Sequence, residues 1–403
     1  RPDKSGHYER GEPIETEVEV KRSPWTVVIG TALLLAAPAR PCSLCMMQLQ
    51  SATYRQDATQ SKLILFGAVT ESRLLPGDGP AGAGKGISTF QIKTVLKSDP
   101  WLGKKTAVEI PRYVPVSDPK DPPKYVLFCD VFKDKLDVFR GAPVKSEAAA
   151  EYLKGLLAAD GEGSAAVLRH CFNYLEHADR ELAADAYLEF AKATDRDIAA
   201  VAPKLSAEKL RGWLKSADTP AERLGMYAFL LGGCGGDADA KLLRALIDHP
   251  TERTTAAFDG LLGGYIQLRP REGWDAALTI LKDEKRPFAL RFAAVRTLRF
   301  YHTWKPEETR ERVMQGMAAV LGQSDAADIA VEDLRRWKAW DLTADVLALY
   351  GKKGYDAPLM QRALVRYALT CPRDEAKKFA DDLRRRDPEL YRDVAEALQF
   401  EKK

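Results

Sequence analysis

Two cysteines three residues apart, Cys42 and Cys45, are the residues of this chain best suited to chemistry. A Cys-x-x-Cys pair exchanges thiols and disulfides when a helix N-terminus or a nearby cation lowers the first thiol's pKa. Here the pair precedes every strand, so the βαβ setting of a thioredoxin is missing. Met46 and Met47 follow directly and add soft sulfur ligands of the kind that suit Cu(I), yet no histidine joins them. The third use is structural: a disulfide within the pair, or from Cys42 or Cys45 to Cys129. Cys129 alternates onto one strand face with Tyr125, Leu127 and Val131, which points it into a strand core or toward the N-terminal segment. A structural bridge is the expectation, and Cys42, Cys45 and Cys129 are the candidate disulfide or redox residues.

Other motifs fall to simpler readings. Gly79-Pro-Ala-Gly-Ala-Gly84-Lys85 has the spacing of a phosphate-binding loop, but Gly86 stands where a Ser or Thr would hold magnesium, and a strand follows instead of a helix. It reads as a hairpin loop. His170, Cys171 and His177 share a predicted helix; metal binding needs i, i+4 spacing or partners from elsewhere, so Cys171 reads as a buried small side chain and His177 as a capping or surface group. Cys234 and Cys371, at predicted helix ends, read the same way. In Arg335-Arg336-Trp337-Lys338-Ala339-Trp340 cations alternate with indoles, but Trp337 continues an apolar helical stripe and core packing explains it. Arg384-Arg385-Arg386 closes a helix, where positive charge suits the carbonyl end. No catalytic residue, cofactor or metal ligand is assigned.

The apolar run Thr26–Ala39 ends in Ala37-Pro38-Ala39, the small-x-small pattern of a signal-peptide cleavage site. Residues 1–39 therefore read as a signal peptide with an atypical acidic N-terminal extension. About 14 apolar residues fall short of the roughly 20 that span a bilayer, so cleavage is expected over anchoring. The mature protein, secreted or periplasmic, then begins at Arg40 and keeps no stable membrane span. The 61 Lys and Arg nearly balance 58 Asp and Glu, which gives no reason to expect a nucleic-acid partner.

From Lys62 to Val144 the apolar period is two, as half-buried strands require. Strands are expected at Leu63–Thr70, at Ile87–Leu96 with Phe90, Ile92 and Leu96 on one side, and at Lys105–Ile110 with Val108 and Ile110 inward. The continuous apolar stretch Tyr125–Phe132 should be central, and the turn Lys133-Asp134-Lys135 leads to Leu136–Phe139. Pro111, Pro115, Pro119, Pro122 and Pro123 mark a long structured loop. After Ser146 the period becomes 3.6. Ala327, Ala330, Val331, Leu334 and Trp337 form one stripe, and Thr219-Pro220-Ala221-Glu222 and Asp387-Pro388 signal helix starts. The 287–304 helix carries two apolar surfaces, one with Leu290, Ala293, Ala294 and Tyr301 and one with Phe288, Phe292 and Val295, as expected of a helix packed on both sides.

Two resemblances follow. Ala289–Leu298 and Pro220–Leu231 resemble the paired helices of HEAT-type repeats, with a degenerate period. The early cysteine, Phe66-Gly-Ala-Val-Thr-Glu-Ser, Thr89-Phe-Gln-Ile-Lys-Thr-Val-Leu-Lys and Tyr125-Val-Leu-Phe-Cys-Asp resemble the netrin-type, OB-like module of tissue inhibitors of metalloproteinases. That family has Cys-x-Cys where this chain has Cys-x-x-Cys, most partner cysteines are absent, and Arg40-Pro41 would precede Cys42 after cleavage. The whole layout is similar to an uncharacterised bacterial secreted family. The expected fold is α+β and multidomain: an OB-like antiparallel β barrel over 40–144 and an α-helical HEAT-like repeat solenoid over 146–403. The expected function is non-catalytic binding of protein or peptide partners. The alternatives are a thiol-disulfide or copper-handling protein using the Cys-x-x-Cys, and a netrin-type protease inhibitor.

Overall fold

Strands and helices segregate along the chain as the change of period requires. The computed structural model describes residues 52–75 and 86–401. The signal-peptide segment, Cys42, Cys45 and the glycine loop Gly79–Lys85 lie outside the described residues. A short helix, Tyr54–Gln60, opens the described chain. Five strands follow, β1 (Leu63–Leu74), β2 (Gly86–Lys97), β3 (Ala107–Ile110), β4 (Lys124–Phe132) and β5 (Lys135–Val144), and from Ala148 onward the chain is helical. The architecture is α+β.

The sheet is antiparallel throughout, in the order β3-β2-β1-β4-β5. The expected barrel does not close: β3 and β5 remain edges. Strand β3 is only four residues long and runs straight into Pro111 and the proline-rich loop to Pro123, which cannot donate the backbone bonds that would extend it toward β5. Strands β1 and β4 are central and buried on both faces, which is why both read as continuous apolar runs. Leu63, Leu65, Val69, Leu127 and Cys129 face an interior shared with Phe90, Val108 and Ile110. On the opposite face Ile64, Phe66, Val126 and Phe128 belong to the same core as Tyr152, Leu153 and the helices beyond. All described residues lie in one compact unit.

Two local features depart from simple alternation. Leu96 was expected beside Phe90 and Ile92, yet it packs against the helix-side core while they face the sheet interior. The cause is a pair of register shifts: Ile64 faces Lys97 and Leu65 faces Val95, so Leu96 is passed over, and a second shift follows at Lys93. The turn Lys133-Asp134 has both residues at positive φ, 48° and 58°, the twist a two-residue hairpin needs.

The helices stack in two rows. One row holds Ala221–Cys234, Phe258–Leu268, Phe288–Trp304, Ala327–Arg336, Pro358–Thr370 and Pro388–Glu401, whose starts advance by 37, 30, 39, 31 and 30 residues. The other holds Ala207–Lys215, Asp237–Asp248, Pro270–Lys282, Pro306–Leu321, Thr343–Leu347 and Asp374–Arg386. Where the first two helices of the first row meet, main chain touches main chain. A Cβ at Gly260 would stand 2.2 Å from the carbonyl oxygen of Gly225, and one at Gly264 would stand 2.1 Å from that of Ala228. The expected capping box at Thr219 does not form; Pro220 itself is the N-cap, and the buried Thr219 offers its carbonyl to Arg253. Asp387 does cap the last helix, accepting from the Leu390 amide at 3.0 Å.

Candidate functional site

Among the described residues the sequence-derived candidates do not converge on one site. The Cys129 side chain is fully buried in the sheet interior, and burial pushes its thiol up to about 12, far from a nucleophile's range. Its proposed partners Cys42 and Cys45 lie outside the described residues. His170 and His177 do not converge on a metal. His170 Nε2 sits 2.8 Å from the Tyr152 carbonyl, and His177 Nδ1 accepts the Asp179 amide at 3.0 Å. Cys171 is buried, with its Sγ 3.6 Å from Tyr152 Oη. Among the described residues no three His, Cys, Asp or Glu side chains are grouped to hold a metal ion. Trp337 stacks on His302 with ring centroids 3.9 Å apart, and Arg335 pairs with Glu332 and Glu401, so that basic-aromatic run is largely committed to packing.

A buried acidic junction, which sequence reasoning missed, fastens the strap 52–61 between sheet and helices. Helix Arg180–Lys192 turns Asp185 and Glu189 inward, one helical turn apart. Asp185 accepts from the Tyr54 amide and from Tyr152 Oη, both at 2.7 Å. Glu189 accepts from Arg55, whose guanidinium also reaches Asp160. Arg140 of β5 pairs with Asp57, donates to the Ala52 carbonyl at 2.9 Å, and lies over the Tyr54 ring. Burial pushes the Asp185 carboxyl up to about 7, against the two hydrogen bonds that favour its ionised form. Most of its polar groups are spent on one another, although the Tyr54 hydroxyl and Glu189 Oε1 are buried with no hydrogen-bond partner among the described residues, and the pairs fix the strap.

The open chemistry lies on the first row of helices. Phe288 and Phe292, one turn apart on helix Phe288–Trp304, stack nearly parallel with centroids 5.8 Å apart, and Phe288 remains 44% exposed. The helix is packed on both of the expected surfaces except at its first turn: Val295 is buried and Phe292 half-buried, and Phe288 faces outward. The guanidinium carbons of Arg296 and Arg299 lie 5.5 and 5.7 Å from the Phe292 ring.

Each arginine is seated on a carboxylate of a neighbouring helix. Arg296 Nε donates to Asp259 at 2.7 Å, Arg299 Nε to Asp333 at 2.6 Å, and Arg366 Nε to Glu332 at 2.6 Å. The rungs join residues 37, 34 and 34 apart, each between helices of the first row. In two rungs the carboxylate is the more covered partner, with Asp259 and Asp333 12% and 7% exposed against 38% for Arg296 and Arg299; in the third, Arg366 and Glu332 are both largely covered, at 23% and 18%. All three arginines bond through Nε. Their Nη1 and Nη2 atoms have no acceptor among the described residues. Arg336, exposed on the helix between Arg299 and Arg366, has no ion-pair partner there either. The face therefore offers guanidinium groups beside one exposed and one half-buried aromatic ring.

No protein-family model matches the chain, and no curated protein or solved structure resembles it significantly. The functional reading rests on this geometry. A sequence signal for the rungs does exist, in Arg and acid pairs separated by 34 to 37 residues, but it is visible only once the helix step is known.

Proposed function

We propose that this chain is an exported, non-catalytic binding or scaffold protein whose helical rows form a HEAT-like solenoid that receives protein or peptide partners, with an OB-like sheet packed at its N-terminal end. The observation that carries the reading is the exposed Phe288 ring stacked on half-buried Phe292 beside arginines paired to covered carboxylates. Stacked helix pairs characteristically present such extended faces, and aromatic and arginine side chains dominate binding hot spots. Rigid seating of the arginines lowers the ordering entropy that binding must otherwise overcome. Among the described residues no helix is long and apolar enough to cross a membrane. Export itself rests on residues 1–39, and thiol exchange, copper handling and netrin-type inhibition rest on Cys42 and Cys45.

The test is panning of an unbiased displayed-peptide library on the immobilised full chain, with a Phe288→Ala/Phe292→Ala variant as the counter-target. Enriched peptides that bind the native protein and lose at least tenfold on the variant support the reading. A library that yields no enrichment, or peptides indifferent to the variant, contradicts it.

A further inference from the structure

We infer that the partner is an extended acidic peptide segment carrying at least one aromatic or large apolar side chain, received across helices Phe288–Trp304, Ala327–Arg336 and Pro358–Thr370. This deepens the binding reading and rests on it. The charge argument comes from how each ion pair is built. Arg296, Arg299 and Arg366 engage Asp259, Asp333 and Glu332 through Nε alone, Glu332 being shared with Arg335, and those carboxylates are largely covered. Outward, each guanidinium presents two nitrogens spaced for a carboxylate, which accepts two parallel N–H bonds. Arg336 adds a further exposed cation between them.

The cations follow a line. Arg296 and Arg299 are three residues apart and so are neighbours on one helix. Arg299 reaches Asp333 on the next helix, and the adjacent Glu332 reaches Arg366 on the one after. A ligand meeting all of them crosses three helices, which favours an extended chain over a compact one. Beyond Arg366 the line ends at acid: Asp393 lies 4.0 Å from Arg362. At the other end Phe288 and Phe292 supply an apolar platform, so an aromatic residue of the ligand stacks there while its carboxylates engage the forks.

The experiment is fluorescence anisotropy of the full chain with three probes: a labelled peptide of Glu and Asp containing one Phe, the same peptide with Lys for each acid, and a sulfated polysaccharide. The acidic peptide is expected to bind, more weakly as salt rises, at least tenfold tighter than the Lys peptide. Two variants keep the test independent of folding. Arg296→Lys/Arg299→Lys/Arg366→Lys keeps a cation beside each covered carboxylate but removes the forks, and Phe288→Ala/Phe292→Ala removes the exposed ring and the half-buried ring it stacks on. Each is expected to weaken the acidic peptide at least tenfold with unchanged circular dichroism. Equal binding of acidic and Lys peptides overturns the inference, as does polysaccharide binding without peptide binding, or affinity unaltered in both variants. Library panning that enriches neutral or basic peptides sensitive to Phe288 and Phe292 overturns this inference while leaving the binding reading standing; panning without enrichment removes both.

Discussion

Replacing Arg299 by Gln tests whether the rungs hold the helical rows together. The Asp333 side chain is 7% exposed and Arg299 38% exposed, so the pair lies between the buried and surface regimes. Breaking a fully buried pair costs about 3–5 kcal/mol, whereas an exposed pair contributes roughly 0–1 kcal/mol. An intermediate loss of about 2 kcal/mol is expected at neutral pH. The sign of its pH dependence follows from Asp333. Burial already holds that carboxyl above the usual carboxylate value, with Arg299 the chief opposing influence. A group whose folded pKa is raised binds its proton more tightly in the folded state, so its contribution to stability falls as pH rises through that pKa. Without Arg299 the carboxyl titrates higher still, and the variant loses more at about pH 8 than at about pH 5. Thermal unfolding followed at 222 nm is the assay, and at pH 8 the expected shift is a fall of about 4 °C. Arg299→Lys should stay near the native value, and adding Asp333→Asn to Arg299→Gln should recover most of the loss. A melting temperature within about 1 °C of native at both pH values, or a larger loss at pH 5, refutes the reasoning.

Three further outcomes are expected. Gly260→Ala puts a methyl 2.2 Å from the Gly225 carbonyl oxygen, a main-chain contact that cannot swing aside, and should destabilise by about 3 kcal/mol; Gly212→Ala, on an open helix surface with no atom within 4 Å of the new Cβ, should stabilise by about 0.5–1 kcal/mol, and urea unfolding of both checks the contrast. Asp185, raised to about 7, should make the native chain lose stability as pH rises from about 4 to 7, and Asp185→Asn should flatten that slope; melts across this range that steepen in the variant would contradict the assignment. A fragment spanning 146–403 should keep a helical circular-dichroism spectrum yet bind an apolar dye, because removing strap and sheet uncovers the apolar side of Tyr152 and Leu153; a dye-silent fragment melting like the whole chain would show that the helices need no cover.

Much of the architecture is written locally. The alternation in β3, the unbroken apolar run of β4 and the stripe Ala327–Leu334 report the number of buried faces on each element, and burial follows them. What depends on two chain segments at once is not written locally. Leu96 changes sides because β1 and β2 slip against each other, a feature no single strand displays. Phe288 looks like a core residue from its type alone, yet its place at the first turn of its helix leaves it outside. Asp185 and Glu189 sit in a stretch that reads as an ordinary amphipathic helix, and their burial is set by Tyr54 and Arg55, about 130 residues away in sequence. Thr219 carries a capping-box spacing, but Pro220 takes the cap position and moves the helix start by one residue.

The most direct test of the binding claim is photo-cross-linking in the full chain, with benzoylphenylalanine placed at position 288 and, as a control, at Phe139 on the far edge of the sheet. Incubated with the acidic, Phe-containing peptide, the 288 site should form an adduct that excess unlabelled peptide and added salt both abolish, while the 139 site forms little. Equal labelling at the two sites, or labelling at 288 that survives competitor and salt, would contradict the assignment of this face as the binding surface.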